Sequence, residues 1–190
     1  AALNNIVGLK PTLGALSASG VVPACRSIET VSIFALTVDD AYAAFAVARG
    51  FDAGDAYSKP LVHEALTTPS KSLRVGVPDA STIEFFGDTV QQTAFDRDVE
   101  LLKASGAEIE HISFEPLYAI ARMLYEGAWV AERYTVIEDL LKSDADAIQP
   151  VTRQIISHAE SMSAADAFRG MYRLAELKRA AEPMLAELDL

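Results

Sequence analysis

The sequence holds one cysteine, Cys25, so no disulfide can close within the chain, which points to a reducing, cytoplasmic setting. Histidine is nearly as scarce. His63, His111 and His158 lie beyond helical reach of one another, and neither HExxH nor paired CxxC spacing occurs, so no metal or other cofactor is expected. No window approaches eighteen uninterrupted apolar residues, which excludes a helix spanning a membrane. Basic residues are also short. Lys and Arg number 16 against 27 Asp and Glu, a formal charge of -11 that argues against nonspecific binding to nucleic acid or anionic membrane. Gly8, Gly14 and Gly20 recur in steps of six, which matches neither GxGxxG nor the P-loop.

What is present is a chain of 190 residues, 51% hydrophobic, enough to bury a core and too apolar for a disordered segment. It begins Ala1-Ala2-Leu3-Asn4-Asn5 without Met or a basic leader and stops at Leu190 directly after a helical pattern. Both ends are expected to be cuts inside a fold; the alternative is a processed N-terminus and a helix that simply ends.

Short apolar runs at 6–10 and 31–36, separated by Pro11, Gly14, Gly20 and Pro23, read as strands and tight turns. Thr37 is placed to cap a helix with Asp39 and Asp40 in its first turn, Ala41, Phe45 and Ala48 facing inward, and Gly50 stopping it. Residues 52–72 read as loop with room for one short helix. A strand over 73–78, an amphipathic helix over 88–104 and an alternating strand over 108–114 form a βαβ unit, parallel and right-handed. Val90, Ala94, Val99, Leu101 and Leu102 are expected near the buried side of that helix. The remainder is helical: 115–141 interrupted at Gly127, 151–162, and a last helix opened by a Ser163–Asp166 capping box and kinked late by Pro183. The fold class is therefore α/β with a helix-rich C-terminal half.

Few residues carry chemistry on this reading. The Gly- and Ser-rich stretch 12–22 could offer backbone N–H groups to an anion, though a turn is the default. A Cys25–His pair has no local support, and Cys25 reads as a small buried apolar residue; His111 reads as facing solvent. Tyr125 and Arg133 stand out. They flank Gly127, and Arg133 sits among Trp129, Val130 and Ala131, where a guanidinium makes a good carboxylate fork. A straight helix would set residues eight apart about 80° around the axis and roughly 12 Å along it, so convergence on one ligand requires a break near Gly127. Otherwise Arg133 pairs with Glu132 or Glu126 on the surface.

The stretch Asn5-Ile6-Val7-Gly8-Leu9-Lys10-Pro11-Thr12, with Gly20-Val21-Val22-Pro23 and Thr37-Val38-Asp39-Asp40-Ala41, resembles the segment just after the nucleophile in amidase-signature enzymes. Residues 23–34 look most like the allophanate hydrolase branch, which releases ammonia from allophanate in urea and cyanuric acid breakdown. The resemblance is close over about the first fifty residues and general beyond. It implies a mixed sheet covered by helices, with residues 1–190 a partial amidase-signature domain whose final strands follow Leu190. It also implies a serine nucleophile, a second serine on a cis peptide and a lysine, all upstream. None of Ser17, Ser19, Ser27 or Ser32 matches those positions, so no catalytic residue is expected here and the chain alone should be inactive. Tyr125 and Arg133 would hold the substrate carboxylate. The implied partners are a small-molecule substrate, the remainder of the amidase domain and a second copy in a homodimer. Another amidase acting on biuret or other amides, and a non-catalytic scaffold, are the competing readings.

Overall fold

The computed structural model describes residues 1–62 and 72–190. Thr37 has extended backbone and its hydroxyl accepts from the Asp40 amide at 3.1 Å, which opens helix α1 (Val38–Ala48). Before it, β1 (Val7–Leu9) pairs antiparallel with β2 (Ile33–Ala35), Gly8 standing opposite Phe34. These elements lie in a unit formed by Ala1–Ala65 with Glu132–Ile156. Among its described residues Ala15, Leu16, Cys25, Ala41, Ile148 and Ile156 are buried. Ala41 faces inward and Phe45 is half-buried, as expected, whereas Ala48 is exposed in the final turn. Arg49 follows, its guanidinium 6.0 Å from the Phe45 ring centroid. Residues 52–62 form no helix, and the rest of the stretch read as loop falls partly outside the described residues.

A second unit comprises Leu66–Ala131 with Ser157–Leu190. Here β3 (Arg74–Pro78), α2 (Thr89–Ala104) and β4 (Glu108–Ile112) form the βαβ unit, with Arg74 opposite Glu108 in a parallel pair. The Asp88 carboxylate accepts from the amides of Val90 and Gln91 and starts α2. Val75, Val77 and Val99 make the local core, with Phe95 and Ile109 packed against them. Of the residues expected on the buried side of α2, Leu102 is exposed at 38% on the flank of Val99, and two lie on the other side altogether: Val90 is 79% exposed and Leu101 60%. At 100° per residue both fall opposite Val99, nine positions before it and two after, so the inner stripe runs through Phe95 and Val99 instead. The other edge of β3 is occupied too: the Asp189 amide donates to the Arg74 carbonyl at 2.8 Å and the Gly76 amide to the Leu190 carbonyl at 2.9 Å.

β4 ends at Ile112 because the Phe114 amide turns to donate to the Thr82 hydroxyl at 3.2 Å and α3 (Glu115–Glu126) begins. The apolar helical stretch breaks at Gly127, whose extended backbone (φ -108°, ψ -165°) caps α3, and α4 (Trp129–Ser143) follows. After α5 (Pro150–Ser157) and a short 3-10 turn over His158–Ser161, the Ser163–Asp166 capping box forms with both of its hydrogen bonds. It opens α6 (Ala164–Leu185), which packs on α3 and ends two residues after Pro183. Among the described residues no helix is long and apolar enough to cross a membrane.

Candidate functional site

The turn 24–29 is built around one backbone carbonyl and two carboxylates. The Cys25 carbonyl accepts from the amides of Ile28 at 3.0 Å and Glu29 at 2.9 Å, which closes the turn. Glu29 then folds back, its Oε2 accepting from the amides of Ala24 at 2.7 Å and Cys25 at 3.2 Å, the work a capping carboxylate does at a helix start. Ser27, in the middle, reaches α4. Its amide donates to Glu132 Oε1 at 2.7 Å and its hydroxyl to Glu132 Oε2 at 2.6 Å, so both oxygens of that carboxylate are engaged by a residue 105 positions away.

Arg133, the next residue on α4, is half-buried, and its guanidinium hydrogen-bonds the Cys25 side chain. Cys25 is buried as expected. Burial pushes its thiol above the ordinary range, because a thiolate loses solvation there; the positive charge and hydrogen bond of Arg133 act the other way without reversing the shift. The arginine is thus held in part by a protonated, uncharged group. A guanidinium so held keeps its charge and its planar array of donors, which suits a ligand carboxylate.

Tyr125 belongs to the second unit and lies on α3, 58% exposed. The helix break that joint use of Tyr125 and Arg133 requires is present, since Gly127 separates α3 from α4. His111 is exposed on β4, His158 is exposed in the turn after α5, and His63 lies outside the described residues. Among the described residues no group of three or more His, Cys, Asp or Glu side chains is placed to hold a metal ion.

The stretch 12–22 does turn its donors toward an anion, and that anion is the chain's own. The hydroxyls of Ser17 and Ser19 donate to Asp52 Oδ2 at 2.6 and 2.8 Å, and the Ala18 amide donates to Asp55 Oδ2 at 2.8 Å. Hydrogen bonds from Ser17 above all hold the Asp52 carboxyl below the usual range, and the Ala18 amide does the same for Asp55. Gly14 is obligatory beneath them: its φ is +84°, and a Cβ there would strike the carbonyl oxygen of Tyr57. Beside this junction Arg26 lies over the Tyr57 ring, 5.8 Å from its centroid, and lines an open hollow of about 330 Å³ with Glu29 and Asp55. Sequence reading missed Ser27, Glu132, Asp52 and Asp55. The Cys25–Glu29 spacing, which sets a carboxylate back over its own turn, was the one local signal available.

Similarity to known proteins follows the same lines. The family described as Amidase matches residues 1–189. The urea amidolyase of Lachancea kluyveri is 40% identical over 193 aligned positions, which cover 100% of this chain and 10% of that protein. A solved structure of Kluyveromyces lactis allophanate hydrolase superposes with a TM-score of 0.90 at 38% identity, covering 97% of this chain and 30% of that one. The K. lactis urea amidolyase structure gives 0.89 at 38% identity, over 97% and 11%. The chain spans about a tenth of the length of the curated relatives it matches.

Proposed function

This chain belongs to the amidase family, and on that premise we propose that it is the substrate-recognition part of an allophanate hydrolase. Its likeness over full length to urea amidolyase and to allophanate hydrolase supports this over a general amidase. The observation that carries the reading is Arg133: a half-buried guanidinium steadied by the Cys25 side chain, on a helix that starts just after the Gly127 break. In the intact enzyme, a serine supplied by the remainder of the amidase domain would attack the amide carbonyl of allophanate, expelling ammonia and leaving an acyl-enzyme. Water would then release the acyl group, with a second serine on a cis peptide and a lysine carrying the protons.

Within this scheme residues 1–190 are one part of that domain and lack the nucleophile. Arg133 pairs with the substrate carboxylate and Tyr125 adds a hydrogen bond to it. Such a site favours allophanate over its neutral isostere biuret, because only allophanate brings the carboxylate that a guanidinium meets with two parallel charge-assisted hydrogen bonds. The intact protein is read as a cytoplasmic homodimer serving urea or cyanuric acid breakdown. The experiment is an ammonia-release assay on the intact protein with allophanate, biuret and a simple neutral amide. Strong preference for allophanate is the expected result. Equal or faster turnover of the neutral amides would overturn the reading.

A further inference from the structure

We propose that Ser27 and Glu132 form a positioning pair that fixes the aim of Arg133, which makes the turn around Cys25 part of the carboxylate-binding apparatus. The inference rests on the reading of Arg133 given above and goes beyond it, since neither Ser27 nor Glu132 need touch the substrate.

The geometry of the pair is what separates it from an incidental contact. A single hydrogen bond leaves a carboxylate able to pivot, whereas the Ser27 amide and hydroxyl each take a different oxygen of Glu132, at 2.7 and 2.6 Å. Bonds to an ionised acceptor are the stronger class, and two in parallel also fix direction. Glu132 precedes Arg133 on α4, about 100° around the axis and 1.5 Å along it, so holding the first holds the backbone that carries the second. The anchor is itself braced by the Glu29 carboxylate on the Ala24 and Cys25 amides. From the same turn, two residues before Ser27, Cys25 hydrogen-bonds the Arg133 guanidinium. One short turn thus constrains Arg133 at both ends of a long, rotamer-rich side chain: through Glu132 at its backbone and through Cys25 at its head group. Restriction of this kind lowers the ordering cost when a ligand binds.

Kinetics of the intact protein on allophanate test the proposal, with Ser27→Ala, Glu132→Gln, Arg133→Ala and the double Ser27→Ala/Arg133→Ala compared. Glu132→Gln keeps size and fold while weakening the clamp, and Ser27→Thr restores a hydroxyl. Expected is a rise in KM of about tenfold for Ser27→Ala and Glu132→Gln, with kcat changed much less, consistent with lost binding alignment. Ser27→Thr recovers most of it, and the double variant is no worse than Arg133→Ala, because the clamp has nothing left to aim. If Arg133→Ala raises KM while the clamp variants do not, or if the Ser27 defect multiplies fully onto Arg133→Ala, the positioning role is overturned and the carboxylate reading stands. If Arg133→Ala leaves KM unchanged, the carboxylate reading itself is overturned.

Discussion

Gly170 on α6 and Ala128, in the break before α4, approach so closely that a methyl group on Gly170 would stand 2.7 Å from the Ala128 Cβ. Alanine is the better helix former by roughly 1 kcal/mol, so propensity alone favours Gly170→Ala. Crowding outweighs it, because the neighbour is a short side chain with no flexible end to move aside. Gly170→Ala is expected to destabilise the intact protein by about 1–3 kcal/mol, read as a lowered melting midpoint. Ala128→Gly in the same chain should recover most of the loss. A Gly170→Ala protein that melts with or above the parent would contradict the close approach.

Val130 is 0% exposed, the most enclosed large side chain among the described residues, while Val90 is 79% exposed. Val130→Ala removes two buried methyl groups and leaves a void, for an expected cost of about 1.5–3 kcal/mol. Val90→Ala on α2 should stay within about 0.5 kcal/mol. Chemical denaturation of both variants distinguishes them. Equal effects would mean that the helical face of α2 is wrongly assigned.

The Asp166 carboxyl is held at about 2, chiefly by the Ser163 hydroxyl, then by the Ser163 amide and Arg169. A folded-state value below the ordinary 3.8 means the folded state prefers the ionised form, so the stabilisation is present above that ordinary value. It is lost as pH falls from about 4 toward 2. The stability gap between the parent and Asp166→Asn should therefore be widest near neutral pH and close across that window. A gap that does not change with pH would contradict the capping role. Asp52 titrates in the same direction through Ser17 and Ser19, so loosening of the loop junction is expected to accompany it.

What could be read from the sequence was what neighbouring residues settle among themselves. The βαβ unit was legible because its strands and helix each announce their own period, and because Asp88 and Gly106 mark the two ends of α2. The Gly127 break and the Ser163–Asp166 capping box were legible for the same local reason. Val90 and Leu101 are apolar and close to Val99 in sequence, but their angle around the helix axis sets them on the opposite, solvent-facing side. Ser27 with Glu132 and Ser17 with Asp52 were not legible at all. Their partners stand 105 and 35 residues apart, and serines and carboxylates are ordinary surface residues until the fold brings them together. Arg133 drew attention through its apolar neighbours, yet its bond to Cys25 belongs to tertiary structure.

The most direct test of carboxylate recognition by Arg133 is the ratio of kcat/KM for allophanate to that for biuret, measured in the intact protein and its Arg133→Ala variant. The two substrates differ only in carrying a carboxylate or a carboxamide, so differences in overall folding cancel in the ratio. Loss of a desolvated charge-assisted pair is expected to lower the ratio by about 100-fold or more, mostly through KM for allophanate. A ratio that is the same in both proteins would contradict the assignment of Arg133 to the substrate carboxylate.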